Sequence, residues 1–291
     1  MLAGATIGAP PDKLNAIGQD WGLTTFSPVA LARNGFAPFL EILRAAMCHA
    51  GGVRIDHVMS LLRLWLVPRG AQPRAGAYLT YPAGDLLRLV ALESWRHRCI
   101  VIGEDLGTVP AECRTRLAAA GILGIDVLPF MRAGNGFSVP SHWRGEAVAT
   151  TSTHDLAPIA GWWSGRDLDW RSRLHLFGDR SQALERSDRA RARTGLLRMM
   201  RRARIASLDA RATPARVVDA AIDSVARTPS PLAIVPLEDL LGAQEHPNLP
   251  GTIAQHPNWR RRYPGEAGKL LDVRAAAVRI RRLRRGRRAA P

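Results

Sequence analysis

The stretch "GGVRID", residues 51–56, decides how the chain reads. "GGVRI" is a short apolar run with two β-branched residues, Val53 and Ile55, and it ends at a carboxylate, Asp56. A run of that length reads as a strand. The same pattern recurs downstream: "CIVIG" at 99–103 is followed by Glu104, and "EAVATTS" at 146–152 is soon followed by Asp155 in "TSTHDL". "GIDVLPF" at 124–130 and "PLAIVPL" at 231–237 are two further strand candidates. Between them lie helical stretches such as "PAGDLLRLVALESWRHR" and "PAECRTRLAAAG", the latter opening on Pro110 and closing before Gly121. Alternation of this kind predicts successive βα units and a parallel sheet. The segment near 165–228 is too long for one crossover and predicts a helical insertion.

Length and composition narrow what such a sheet can serve. The chain has 291 residues, 46% of them hydrophobic, enough for a sizeable core. No run approaches the roughly 18 apolar residues of a membrane span, and the N-terminus lacks a basic segment followed by an apolar one, so the expectation is a cytoplasmic protein with no membrane partner. The three cysteines, Cys48, Cys99 and Cys113, lack metal-ligand spacing and read as buried, reduced thiols. Tryptophans 65, 95, 162, 163 and 259 read as core or helix packing. A formal charge of +16 would suit nucleic acid. The charge, however, is almost all arginine set at helical spacing among apolar residues, as in "RIRRLRRGRR", which reads as solvated helix faces and argues against a nucleic-acid partner.

The acids carry the chemistry. Asp56, Glu104 and Asp155 each follow a strand candidate, and at the carboxyl ends of barrel strands catalytic side chains converge. Arg54 and Asp56 are two apart, so an extended backbone sends both to one face. A guanidinium beside one carboxyl group and not the other gives the pair unlike environments, one suited to a nucleophile and one to an acid. Retaining glycoside chemistry needs such a pair, with carboxyl groups about 5 to 5.5 Å apart. His154 and Asp155 would hold sugar hydroxyls and support an oxocarbenium-like transition state.

These stretches, in this order, resemble the 4-alpha-glucanotransferases (amylomaltase or disproportionating enzyme, glycoside hydrolase family 77). The resemblance runs from "IGAPPDKLNAIGQDWGL" through "RIDHVMSLLRLWLVPRG", "GAYLTYP", "VIGEDLGTVP", "THDL" and "RTPSPLAIVPLEDLLG" to "NLPGTIAQHPNWRRR". It implies a (β/α)8 TIM barrel, Asp56 as nucleophile, Glu104 as general acid/base and Asp155 as the third, transition-state-stabilising acid. It also implies Arg54 and His154 as substrate-site partners, Asp12, Gln19 and Trp21 in a loop over the acceptor side, and Asn248 as a sugar contact. Donor and acceptor would be maltodextrins, with neither metal nor organic cofactor.

The chain departs from the family pattern at Thr24, Asp126, Ala157 and Gln255, none of which removes a catalytic group. Family members also carry several hundred further N-terminal residues. The expectation is therefore an N-terminally truncated barrel with about five of eight strands, in which 1–285 form a partial catalytic domain and 286–291 a basic tail. Such a piece is expected to need the missing segment for activity. The competing readings are an inactive fragment, an alpha-amylase-like hydrolase and a basic nucleic-acid binder.

Overall fold

The computed structural model describes residues 2–11, 17–107, 109–178 and 180–289. They form two compact units divided between Ile125 and Asp126, whereas the sequence reading treats 1–285 as one domain.

The first unit begins with β1 (Ala5–Ala9), β2 (Gln19–Leu23), α1 (Pro28–Arg33) and α2 (Ala37–Met47). It continues with β3 (Gly52–Ile55), β4 (Arg63–Pro68), β5 (Ala77–Thr80), α3 (Ala83–His97), β6 (Ile100–Gly103) and α4 (Ala111–Ala119). The expected strands at 51–55 and 99–103 are β3 and β6, and they pair in parallel with Gly52 opposite Ile100 and Ile55 opposite Gly103. A parallel bridge joins Ile102 to Leu123. The sequence reading missed a four-stranded antiparallel sheet, ordered β2-β1-β4-β5. Its strands are short and carry Gly8, Gly22 and Pro68, so they lack the plain apolar runs that marked the others. Met47, Val58, Leu86, Val90, Val101, Leu117 and Ile122 make the core of this unit. Trp95 lies on α3 half a turn away from Leu86, and at 78% exposed it is a surface residue, which corrects its reading as packing. Cys48 is likewise exposed, because α2 ends there, while Cys99 and Cys113 are buried.

The strand β7 (Gly124–Val127) runs across the division. The second unit continues with a small hairpin, β8 (Arg132–Ala133) and β9 (Gly136–Phe137), then β10 (Ala147–Thr150). Four helices follow: α5 (Ile159–Ser164), α6 (Arg166–Arg173), α7 (Gln182–Arg202) and α8 (Pro214–Ala226). The chain then returns as β11 (Leu232–Ile234), parallel to β10, and ends in α9 (Leu237–Leu241) and α10 (Arg274–Ala289). Ser181 caps α7 by accepting the Leu184 N–H, and Pro214 opens α8, where a missing N–H costs nothing. The core, built on Leu196, Met200, Val217, Val218 and Ile222, surrounds α8.

Not every arginine faces water. Arg279 of α10 is 4% exposed, donating to Asp219 and to the Leu240 carbonyl. Arg282 pairs with Asp223, and Arg287 donates to the Thr228 and Ser230 carbonyls. These three correct the expectation that the C-terminal arginines form only solvated faces. Among the described residues no helix is long and apolar enough to cross a membrane.

One glycine sets how closely the chain after α9 can lie on α5. A Cβ at Gly161 would sit 2.1 Å from the Gln244 carbonyl oxygen, so only glycine fits. Gly161→Ala should therefore lose about 1–3 kcal/mol in urea unfolding, whereas Gly145→Ala, whose new methyl meets nothing within 4 Å, should change stability by no more than about 0.5 kcal/mol.

Candidate active site

In the first unit the register of β3 and β6 places the chemistry. Because Ile55 faces Gly103, the next residues, Asp56 and Glu104, leave the two strands side by side at their carboxyl ends. A Cβ on Gly103 would lie 2.8 Å from Val58 Cγ2, so glycine lets the turn after β3 pack against the end of β6. Arg54 Nη1 lies 2.6 Å from Asp56 Oδ1, as their spacing on one strand face requires, and Asp56 is largely exposed. Glu104 is held more firmly. Its backbone N–H donates to the Ile55 carbonyl, and its own carbonyl accepts the Val58 N–H. Its carboxylate accepts the His57 N–H at 2.9 Å and the Leu106 N–H at 2.8 Å.

His57 turns the chain there with φ of 44°, a left-handed conformation uncommon for a side chain of its size. Burial holds its imidazole below the ordinary histidine value, against the opposing pull of Glu104 and Asp56. Trp21, about one-third exposed, meets the His57 ring edge to face at 5.2 Å and donates from Nε1 to Gln19 Oε1. Gln19 and Trp21 are thus brought to the strand-end residues of the same unit. Asp12 lies outside the described residues.

In the second unit Asp155 stands in the turn after β10. Asn248 Nδ2 donates to Asp155 Oδ1 at 2.7 Å, and His154 Nε2 lies 3.3 Å from Asp155 Oδ2. These three expected site residues are therefore together. The His154 ring lies 5.5 Å from that of Trp259, which is 66% exposed and so is not the packing residue the sequence suggested.

Two supports were not read from the sequence. Asp239, wholly buried in the first turn of α9, accepts the Thr151 and Ser152 hydroxyls and the Ile159 N–H, bonds that bracket the turn holding His154 and Asp155. Asn258 latches the loop that carries Asn248: its Oδ1 accepts the Leu249 N–H and the His256 Nδ1–H, and its Nδ2 donates to the Thr252 carbonyl and hydroxyl. "PLEDL" and "HPNW" offer no spacing that distinguishes such residues from ordinary caps. The departures from the family pattern are accommodated locally. Asp126 is a buried partner of Arg144, Gln255 accepts the Ile253 N–H, and Thr24 donates to the Leu2 carbonyl. Among the described residues no group of three or more His, Cys, Asp or Glu side chains is arranged to hold a metal ion.

Burial raises the Asp239 carboxyl above its ordinary value of 3.8, opposed by its three donors. The folded state then binds this proton more tightly than the unfolded one. Its contribution to stability is full below 3.8 and is lost as pH rises through the folded value. In urea unfolding, as pH rises above about 4 the difference between the unaltered chain and Asp239→Asn should shift toward the variant. Asp239→Ala, which strands buried donors, should be destabilised by about 1–3 kcal/mol or more at every pH tested.

The chain resembles known proteins over most of its length. The family profile described as 4-alpha-glucanotransferase matches residues 1–267. The chain is 38% identical over 290 residues to a 4-alpha-glucanotransferase of Mycobacterium tuberculosis, covering 96% of this chain and 40% of that protein. It is 37% identical to one of Haemophilus influenzae, covering 88% and 37%. It therefore spans about two-fifths of the length of these relatives. The crystal structure of amylomaltase from Corynebacterium glutamicum superposes with a TM-score of 0.89 at 30% identity, over 98% of this chain and 42% of that one. Amylomaltase from Streptococcus agalactiae in complex with acarbose gives 0.74 at 19% identity, over 97% and 51%, a likeness of fold. The chain shares the TIM-barrel-like fold of the amylomaltases, and on the family profile and these relatives it belongs to the 4-alpha-glucanotransferase family.

Proposed function

We propose that the chain carries the catalytic carboxylates of a 4-alpha-glucanotransferase, which cleaves an α-1,4-glucan with retention and passes the released segment to a second glucan. The observation that carries the reading is the β3–β6 register, which sets Asp56, paired with Arg54, beside Glu104, fixed by two backbone N–H groups. Asp56 attacks the anomeric carbon of the donor as the glycosidic bond breaks, and Glu104 gives its proton to the departing O4 oxygen. An acceptor hydroxyl then returns a proton to Glu104, attacks the same carbon and releases Asp56. Neither metal nor organic cofactor takes part. Arg54 pairs with Asp56 and orients the attacking carboxylate. Asp155, with His154 and Asn248, binds sugar hydroxyls, most strongly as positive charge develops on the ring. Trp21 and Gln19 serve the acceptor side, with Asp12 assigned there by family resemblance alone. In this reading β3, β6, β7, β10 and β11 are the five barrel strands expected from the sequence, and maltodextrins are donor and acceptor.

Maltotriose distinguishes transfer from hydrolysis, since a transferase yields glucose and longer maltodextrins with little net gain of reducing ends. Glu104→Gln should lower maltotriose turnover by about 10²–10⁴-fold. The same variant should still react with a maltosyl fluoride, which needs no proton, and accumulate a glycosyl ester on Asp56 visible by mass spectrometry. Asp56→Ala should form no ester, and Asp155→Asn should lower kcat far more than it raises KM. Normal maltotriose turnover in Asp56→Ala would remove the assignment.

A further inference from the structure

Among the described residues, six other than glycine have positive φ: Phe36, His57, Arg98, His175, Arg204 and Trp259. Phe36, Arg98, His175 and Arg204 each lie within three residues of a helix C-terminus, where a left-handed residue closes the last turn. His57 and Trp259 do not. His57 is explained by the N–H it turns onto Glu104. Trp259, with φ of 60°, also turns its N–H onto a partner, the Pro247 carbonyl, but its large side chain is left open to solvent.

The local geometry sharpens the question. The Arg260 N–H donates to the Pro257 carbonyl, so Pro257 to Arg260 form a tight turn with Trp259 at its third position. A positive φ at that place calls for glycine or asparagine, and a bulky indole there is strained. Burial could offset strain, but two-thirds of this residue is open to solvent. The loop nonetheless fixes it from several directions: the Trp259 N–H donates to the Pro247 carbonyl, and the preceding Asn258 makes its four side-chain bonds. Pro247 adjoins Asn248, which bonds Asp155, and the indole lies against His154. A strained, rigidly held and exposed aromatic beside a carboxylate and a sugar-binding amide is a surface prepared for an apolar face that arrives from solution.

We infer that Trp259 is a stacking platform for one glucose ring of an α-1,4-glucan, forming with His154, Asp155 and Asn248 a single subsite of the second unit. The inference rests on the proposed function for the identity of the sugar. A pyranose offers the matching chemistry, with axial C–H groups on one face to lie on the indole and hydroxyls at its rim for Asp155 and Asn248.

The test is maltoheptaose binding by calorimetry and tryptophan fluorescence, with urea unfolding alongside. Trp259→Gly removes the ring and relieves the left-handed backbone, so stability should stay unchanged or rise. Its Kd for maltoheptaose should weaken by about tenfold, the size of one aromatic contact. Trp259→Phe, which keeps a ring, should stay within about threefold of the unaltered chain. Equal binding by Trp259→Gly and the unaltered chain would overturn the platform while leaving the proposed function standing. Weak binding that tracks lost stability and is not restored by Phe would also overturn it. Failure of the unaltered chain to bind maltoheptaose would count against the proposed function itself and remove this inference with it.

Discussion

A parallel pair of strands with one fixed register is the constraint on which the first unit's chemistry depends. Once Gly52 stands opposite Ile100, every later pair is determined, and the first two residues beyond the ladder are both carboxylates. Slipping the register by one residue would turn each side chain to the other face of the sheet. The backbone bonds of Glu104 to Ile55 and Val58 continue the ladder past the last strand residue, and the His57 and Leu106 N–H groups hold its carboxylate, which is thus positioned by main chain rather than by a flexible neighbour. Asp56, by contrast, is steadied by one guanidinium and remains open. The two acids thus differ in how they are held as well as in surroundings.

The second unit solves the same problem with irregular chain. Asp155 sits five residues beyond β10, too far for a strand register to place it. Buried polar side chains take over. Asp239 closes the turn on both sides, Asn258 folds the facing loop onto itself, and Glu245 ties that loop to Arg166, Trp170 and Arg261. Each is a buried or half-buried group with its bonding capacity largely met, the condition under which polar networks specify one geometry instead of weakening it.

The strands β3, β6, β7, β10 and β11 were legible because each falls within a short apolar run closed by a polar or turn-forming residue, although the run at 124–130 leaves the strand at Leu128 for a 3-10 turn. The antiparallel sheet was not, since β4 begins inside "HVMSLLRLW", whose apolar spacing suits a helix as well as a strand. The pairing of Arg54 with Asp56 followed from a period of two, and it is observed. Asp239 and Asn258 stayed hidden because their partners lie about 80 and 6–9 residues away, separations that carry no periodicity. Trp259 was misread for a related reason: tryptophan is usually core, and nothing in "HPNW" announces a left-handed turn.

The inward arginines of α10 have a consequence for how this helix is attached. A leucine-faced helix is held by surface area and tolerates rotation about its own axis, whereas Arg279, Arg282 and Arg287 address individual carboxylates and carbonyls. A guanidinium keeps its proton at any pH a fold survives, and its planar fork does not accept a lysine in exchange. In a chain of net charge +16, these arginines act as keyed fasteners whose fit, more than their charge, fixes the helix's rotation and depth.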